Sequence, residues 1–222
     1  MEALLVALIA LRMTFAPFYA PSEAMKPTLL PGDYFLVSTH PQKWARGDVL
    51  VFHHPVNHED YIKRLVGLPG DTIQMRDGIL YIDGTPAPQT PDGTFDEIMA
   101  PQGPNGDRPR CENGPIGDGA ICTRTRAIET LPNGVRYDVL NIDKNGPVDN
   151  TDGFTVPEGM AFFLGDNRDN SLDSRFSQLA GGLGFVPLAN VHGKAGLILM
   201  SFDGPMFDFA HWRSGRAFRW AQ

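Results

Sequence analysis

The chain has 222 residues, 42% of them apolar, enough to bury one substantial core in one large or two small domains. Its 26 acidic residues against 19 basic ones give a formal charge of -7, which excludes a dominant basic surface and argues against a nucleic-acid partner. Gly and Pro, 24 and 19 residues, make up about a fifth of the chain against a usual share of ~12%, which favours short strands and turns over long helices.

Residues 3–11 form a continuous apolar run that stops at Arg12, far short of the ~20 residues that span a bilayer. Glu2 and the lack of Lys or Arg before Arg12 argue against a secretory signal, and residues 1–13 are expected to be the outer end of a membrane anchor. Residues 15–21 carry too much proline for a helix and read as an extended apolar segment. Strands are predicted over 33–39 and 48–52 from their short apolar runs bounded by Pro, Gly and Asp. Around Asp77-Gly78, the runs 72–76 and 79–82 predict a type I′ hairpin, because both turn residues accept positive φ.

Residues 84–158 are rich in Gly, Pro and Asp and are expected to form a loop-rich inserted β subdomain between two halves of a β core, 14–83 and 159–203. Within the insertion, Cys111 and Cys122 are close enough to close a short loop, and no further ligands stand nearby for zinc, so a disulfide is expected. Strands resume at 160–164 and 196–202. The tail, 204–222, interleaves Phe207, Phe209, Trp212, Phe218 and Trp220 with Arg213, Arg216 and Arg219, a mixture suited to a bilayer interface.

Metal patterns are weak. Asp166, Asp169 and Asp173 lack the alternate-residue spacing of a calcium loop, and residues 141–146 with Asp152 lack both the terminal Glu and flanking helices. His53, His54 and His58 read as a solvated polar loop, so no metal is expected.

Residues 61–66 have strand character, and alternation sends Tyr61, Lys63 and Leu65 to one face and Arg64 to the other, solvated one. A lysine with a pKa of ~10.4 is a poor base at neutral pH, but burial can lower that value by roughly 3 to 5 units. Lys63 could then take a proton from a serine hydroxyl; an ordinary exposed lysine is the alternative the residues alone leave open.

Three stretches resolve that choice by resemblance: Pro21-Ser22-Glu23-Ala24-Met25-Lys26-Pro27-Thr28-Leu29, Asp60-Tyr61-Ile62-Lys63-Arg64 and Gly165-Asp166-Asn167-Arg168-Asp169-Asn170-Ser171-Leu172-Asp173-Ser174-Arg175. Together they resemble the signature of bacterial type I signal peptidases, membrane-bound serine proteases with a lysine base. The resemblance implies a mostly β signal-peptidase-like catalytic core, no cofactor, and action on signal peptides of exported preproteins after Ala-x-Ala sites. It also implies contact with membrane lipid, on the outer side of the bacterial inner membrane; nothing in the sequence sets an oligomeric state.

Carried over residue by residue, the resemblance makes Lys63 the general base and Ser22 the side-chain contributor to the oxyanion hole, with Ser171 orienting the lysine amine. Asp173 and Arg175 become a bracing charged pair. Phe18, Ala20, Pro21, Met25, Leu29, Phe35, Val51, Asp60, Tyr61 and Ile62 become positions lining the substrate pockets. Two departures are tolerable: Glu23 where the family commonly has glycine, and an apparent insertion at 178–182. The third is not, because Ala24 stands where the family has its nucleophilic serine, and a methyl group cannot attack a carbonyl. The expectation is a serine-to-alanine substitution that silences turnover and leaves the cleft intact. A natural pseudoenzyme that binds signal peptides without cutting them is the alternative. A self-cleaving repressor shares the chemistry but would begin with a DNA-binding helical domain rather than an apolar run.

Overall fold

Alternating and continuously apolar runs become strands wherever turn residues bound them, and the computed structural model describes them over residues 14–39, 43–103, 105–204 and 209–221. The apolar run at 3–11 and Phe207 of the tail lie outside the described residues. Among the described residues no helix is long and apolar enough to cross a membrane. The first half contributes β1 (Phe15–Tyr19), β2 (Asp33–Ser38), β3 (Val49–His53), β4 (Asp60–Gly67), β5 (Thr72–Arg76), β6 (Ile79–Ile82) and β7 (Thr85–Pro86). The second contributes β8 (Gln89–Ile98), β9 (Ile121–Thr130), β10 (Arg136–Asn141), β11 (Phe154–Thr155), β12 (Met160–Leu164), β13 (Val186–Pro187) and β14 (Val191–Ser201). The fold is mostly β, as expected.

A seven-stranded sheet runs in the order β1-β2-β14-β3-β4-β12-β13, so the late strand β14 inserts between two early ones and joins both ends of the chain into one core. β2 alternates between buried and half-buried positions, the period of a strand with one face on the core. The hairpin at Asp77-Gly78 forms as predicted, with φ of 48° and 75° at its two turn residues.

The insertion is built from strands as well as loops. It holds a three-stranded sheet, β10-β9-β8, whose first two pairing strands, β8 and β9, run ten residues each. β8 is largely solvent-facing and carries Pro91 and Gly93 at a register shift against β9, so its composition reads as a loop while cross-strand hydrogen bonds hold it as a strand. Cys111 and Cys122 are joined by a disulfide.

One correction concerns β4. Its last five residues are all buried, so both faces of the strand are covered and Arg64 is as enclosed as Lys63. Alternation places the two side chains on opposite faces, but it does not place either in water.

Candidate active site

Residues 23–25 form a single 3-10 turn at the floor of a cleft of about 820 Å³, entered from an extended Ser22. Ala24 and Met25 are buried, Ser22 is exposed, and all three line the cleft. The turn is held by the third stretch, Gly165 to Arg175: Asn167 donates its backbone N–H to the Ala24 carbonyl at 3.1 Å and its side-chain amide to the Glu23 carbonyl at 3.2 Å. This approach requires Gly165. A Cβ there would sit 2.5 Å from the Ala24 carbonyl oxygen and 2.3 Å from Ser171 Oγ, both far inside contact distance.

Lys63 projects from β4 into the same cleft with only 5% of its surface exposed. Burial lowers its pKa from 10.5 to about 8, although Asp173 and Asp166 pull it upward. Its amine also lies 5.6 Å from the centre of the Tyr61 ring. Asp173 and Arg175 are fully buried and paired through two hydrogen bonds of 2.8 Å. Burial pushes the Asp173 carboxyl up, and the charge and hydrogen bonds of Arg175, with the Gly165 N–H and the charge of Lys63, together bring it below its ordinary value. Ser171 stands in the cleft wall, yet its Oγ is buried and has no hydrogen-bond partner among the described residues, Lys63 included.

The sequence-assigned pocket residues gather in one region. Ala20, Met25, Leu29, Phe35 and Val51 belong to a single apolar cluster with Phe18 and Ile62 packed against it. Ala20, Pro21, Met25, Asp60, Tyr61 and Ile62 face the cleft, while Leu29, Phe35 and Val51 are fully buried.

Sequence reasoning missed two buried ionic groups that brace the site. In the first, Lys26 bonds Glu23 (2.6 Å), Glu97 (2.7 Å) and Gln102 (2.6 Å), and Arg124 adds Glu97 at 2.7 Å and Glu23 at 3.2 Å. The carboxylate of Glu23, the departure next to Ala24, thereby ties the cleft floor to β8 and β9, and Asn170 donates to its other oxygen at 2.7 Å. In the second, Arg64 makes a two-point pair with Asp166 (2.8 and 2.6 Å) and stacks over Tyr137 at 3.9 Å. Beside it, Arg168 pairs with Glu129 (2.9 and 2.6 Å). Burial pushes the Glu129 carboxyl up, and the attraction of Arg168 with hydrogen bonds from Arg168, Tyr137 and Gln89 brings it below its ordinary value. The motif halves of these pairs were in view, but nothing in the polar strands β8 to β10 singled out their partners. Asp107, Arg108 and Arg110 of the insertion also reach the cleft rim.

One cluster stands apart. His53, Asp60 and His192 bring three ligand-type atoms within 4.8 Å of one another, whereas His54 is turned away, its Nδ1 accepting from the backbone N–H groups of Val56 and Asn57.

The mostly β fold thus presents one cleft that holds both the braced turn and a buried amine. The chain belongs to the signal peptidase family, peptidase S26, whose model matches residues 1–200. It is 34% identical to signal peptidase I of Rickettsia typhi, over 88% of this chain and 76% of that one, and 33% identical to signal peptidase I of Rickettsia prowazekii over the same shares. A crystal structure of a signal peptidase I from Enterococcus faecalis V583 is 27% identical, covering 70% of this chain and 98% of that one with a TM-score of 0.36.

Proposed function

We propose that this chain is a signal peptidase I whose Ser-Lys dyad is silenced by Ala24, and that its active form removes signal peptides from exported preproteins after Ala-x-Ala sites. The observation that carries the reading is the shared cleft: the buried, pKa-lowered Lys63 and the Ala24 turn line the same space. With a serine at position 24, neutral Lys63 takes the hydroxyl proton as the oxygen attacks the scissile carbonyl carbon. The developing oxyanion accepts from the Ser22 hydroxyl and the backbone N–H of residue 24. The protonated lysine then gives its proton to the leaving amine and, neutral again, activates the water that frees the acyl group. Ser171 supplies a hydroxyl to the lysine as the substrate closes the cleft, a contact that tightens only in the complex. Asp173 and Arg175 fix the wall behind the amine. The exposed aromatics Phe209, Trp212, Phe218 and Trp220 rest at the outer surface of the bacterial inner membrane, where the preproteins emerge.

The test uses three proteins in detergent on a peptide with an Ala-x-Ala site: this chain, Ala24→Ser, and Ala24→Ser with Lys63→Ala. Cleavage by Ala24→Ser alone is expected, with losses on the order of 10⁶ when one member of the unit is missing. Undiminished cleavage by the doubly substituted protein would remove Lys63 from the role of base. Folded, peptide-binding protein with no cleavage in any of the three would instead make the chain a binding protein.

A further inference from the structure

His53 and Asp60 face each other as a cross-strand pair of β3 and β4, and β14 runs along the other side of β3, with Val191 opposite Phe52. This register delivers His192 to the same spot. The two imidazole rings meet edge to face with centroids 3.9 Å apart, and both aim a nitrogen at one oxygen of Asp60. His53 Nδ1 lies 3.1 Å from Asp60 Oδ1 and His192 Nε2 lies 3.3 Å from it. His192 Nε2 is enclosed, yet it has no hydrogen-bond partner among the described residues, so its contact with the carboxylate is one of position without a directed proton.

These spacings are those of metal ligands. Nitrogen and oxygen atoms held about 2.0–2.1 Å from a tetrahedral Zn²⁺ stand about 3.3–3.4 Å from one another. Two edges of such a figure already exist at 3.1 and 3.3 Å, and the third pair lies within 4.8 Å, a gap that small side-chain rotations close. The donors sit on three hydrogen-bonded strands, so their backbone positions are fixed before any ion arrives. Their side chains are 46%, 45% and 32% exposed, which leaves an entry path and room for a water as fourth ligand. Two imidazoles and one carboxylate select a first-row divalent transition ion over Ca²⁺ or Mg²⁺, which need more oxygen donors.

We propose that His53, Asp60 and His192 form a binding site for a divalent transition-metal ion of the Zn²⁺ class, clipping β3, β4 and β14 together at the rim of the cleft that Asp60 lines. The ion takes no part in the peptidase chemistry proposed above, so binding is measurable in the chain as it stands, with Ala24 in place.

The full chain, stripped of metal, is titrated calorimetrically with Zn²⁺ and its Tm followed, with Co²⁺ as a spectroscopic substitute. One saturable equivalent, a rise in Tm and the visible bands of tetrahedral Co²⁺ are expected. His192→Ala and His53→Ala should each weaken binding by more than about tenfold and abolish the bands. His58→Ala, a neighbour outside the cluster, should change neither. Both ligand variants alter partly exposed side chains, and circular dichroism establishes that they are folded. Absence of saturable binding, or binding equally strong in His53→Ala and His192→Ala, overturns the proposal.

Discussion

A buried ammonium is costly, and Lys63 makes that cost measurable. With its pKa lowered from 10.5 in the unfolded chain to about 8 in the folded one, both states hold the proton below pH 8, and the full penalty of burial is present there. Between pH 8 and 10.5 the unfolded chain binds more protons than the folded one, so stability rises with pH across that window. Lys63→Met should therefore stabilise the protein at pH 7 by about 3 kcal/mol, a gain that shrinks to nothing as the pH approaches 10.5. Urea unfolding of both proteins at the two ends of the window checks this, and a gain independent of pH would contradict it. The same shift sets the pH profile of Ala24→Ser, whose kcat/KM should rise with pH and level off above about 8. At Gly165 the limiting quantity is space. Gly165→Ala must move the Ala24 carbonyl or Ser171, at a cost of about 1–3 kcal/mol. In the Ala24→Ser background, a displacement of that order should lower kcat about 10²-fold.

Strands β9 and β10 reach the seven-stranded sheet through charges rather than through apolar packing alone. Glu129 on β9 is fully buried and meets Arg168, two residues after Asp166, which in turn holds Arg64 of β4. Removing one partner strands the other without water or a counter-charge. Arg168→Met or Glu129→Met alone should destabilise by about 3–5 kcal/mol, whereas both together should cost far less, because the pair's desolvation penalty disappears with it. Chemical denaturation of the two single variants and the double one measures that coupling. Additive losses would mean that Arg168 and Glu129 act separately. The Glu23 group works on the other side of the turn, where Lys26 and Arg124 anchor the floor of the cleft to the insertion.

At the scale of the whole molecule, what was legible in the sequence was what short-range rules determine. The hairpin at Asp77-Gly78 needs only two turn residues, and β2, β3 and β12 carry their own apolar patterns. The meeting of the three motifs was readable only through resemblance, since no local rule brings Lys63 to Ala24. β8 escaped because its stability lies in cross-strand bonds and in Glu97, a charged residue whose partners come from elsewhere in the chain. His192 escaped for the same reason, standing far from His53 in sequence and beside it only through the order of the sheet.

That dependence on long-range contacts makes the disulfide a sharp probe of how the insertion and the core cooperate. Cys122 lies on β9 beside Arg124, and Cys111 follows Arg110, whose carbonyl accepts from Arg124 at 2.6 Å and whose side chain lines the cleft. Replacing both cysteines with serine lengthens the free loop of the unfolded chain and should destabilise by about 3 kcal/mol. If the buried ionic groups bind the two parts only at their contact, the loss falls on the insertion. Hydrogen exchange should then accelerate in β8 and β9 and remain unchanged in β3 and β4, while peptide affinity drops because the Arg108 and Arg110 rim loosens. Equal acceleration in all four strands would show instead that the ionic seam makes insertion and core a single folding unit.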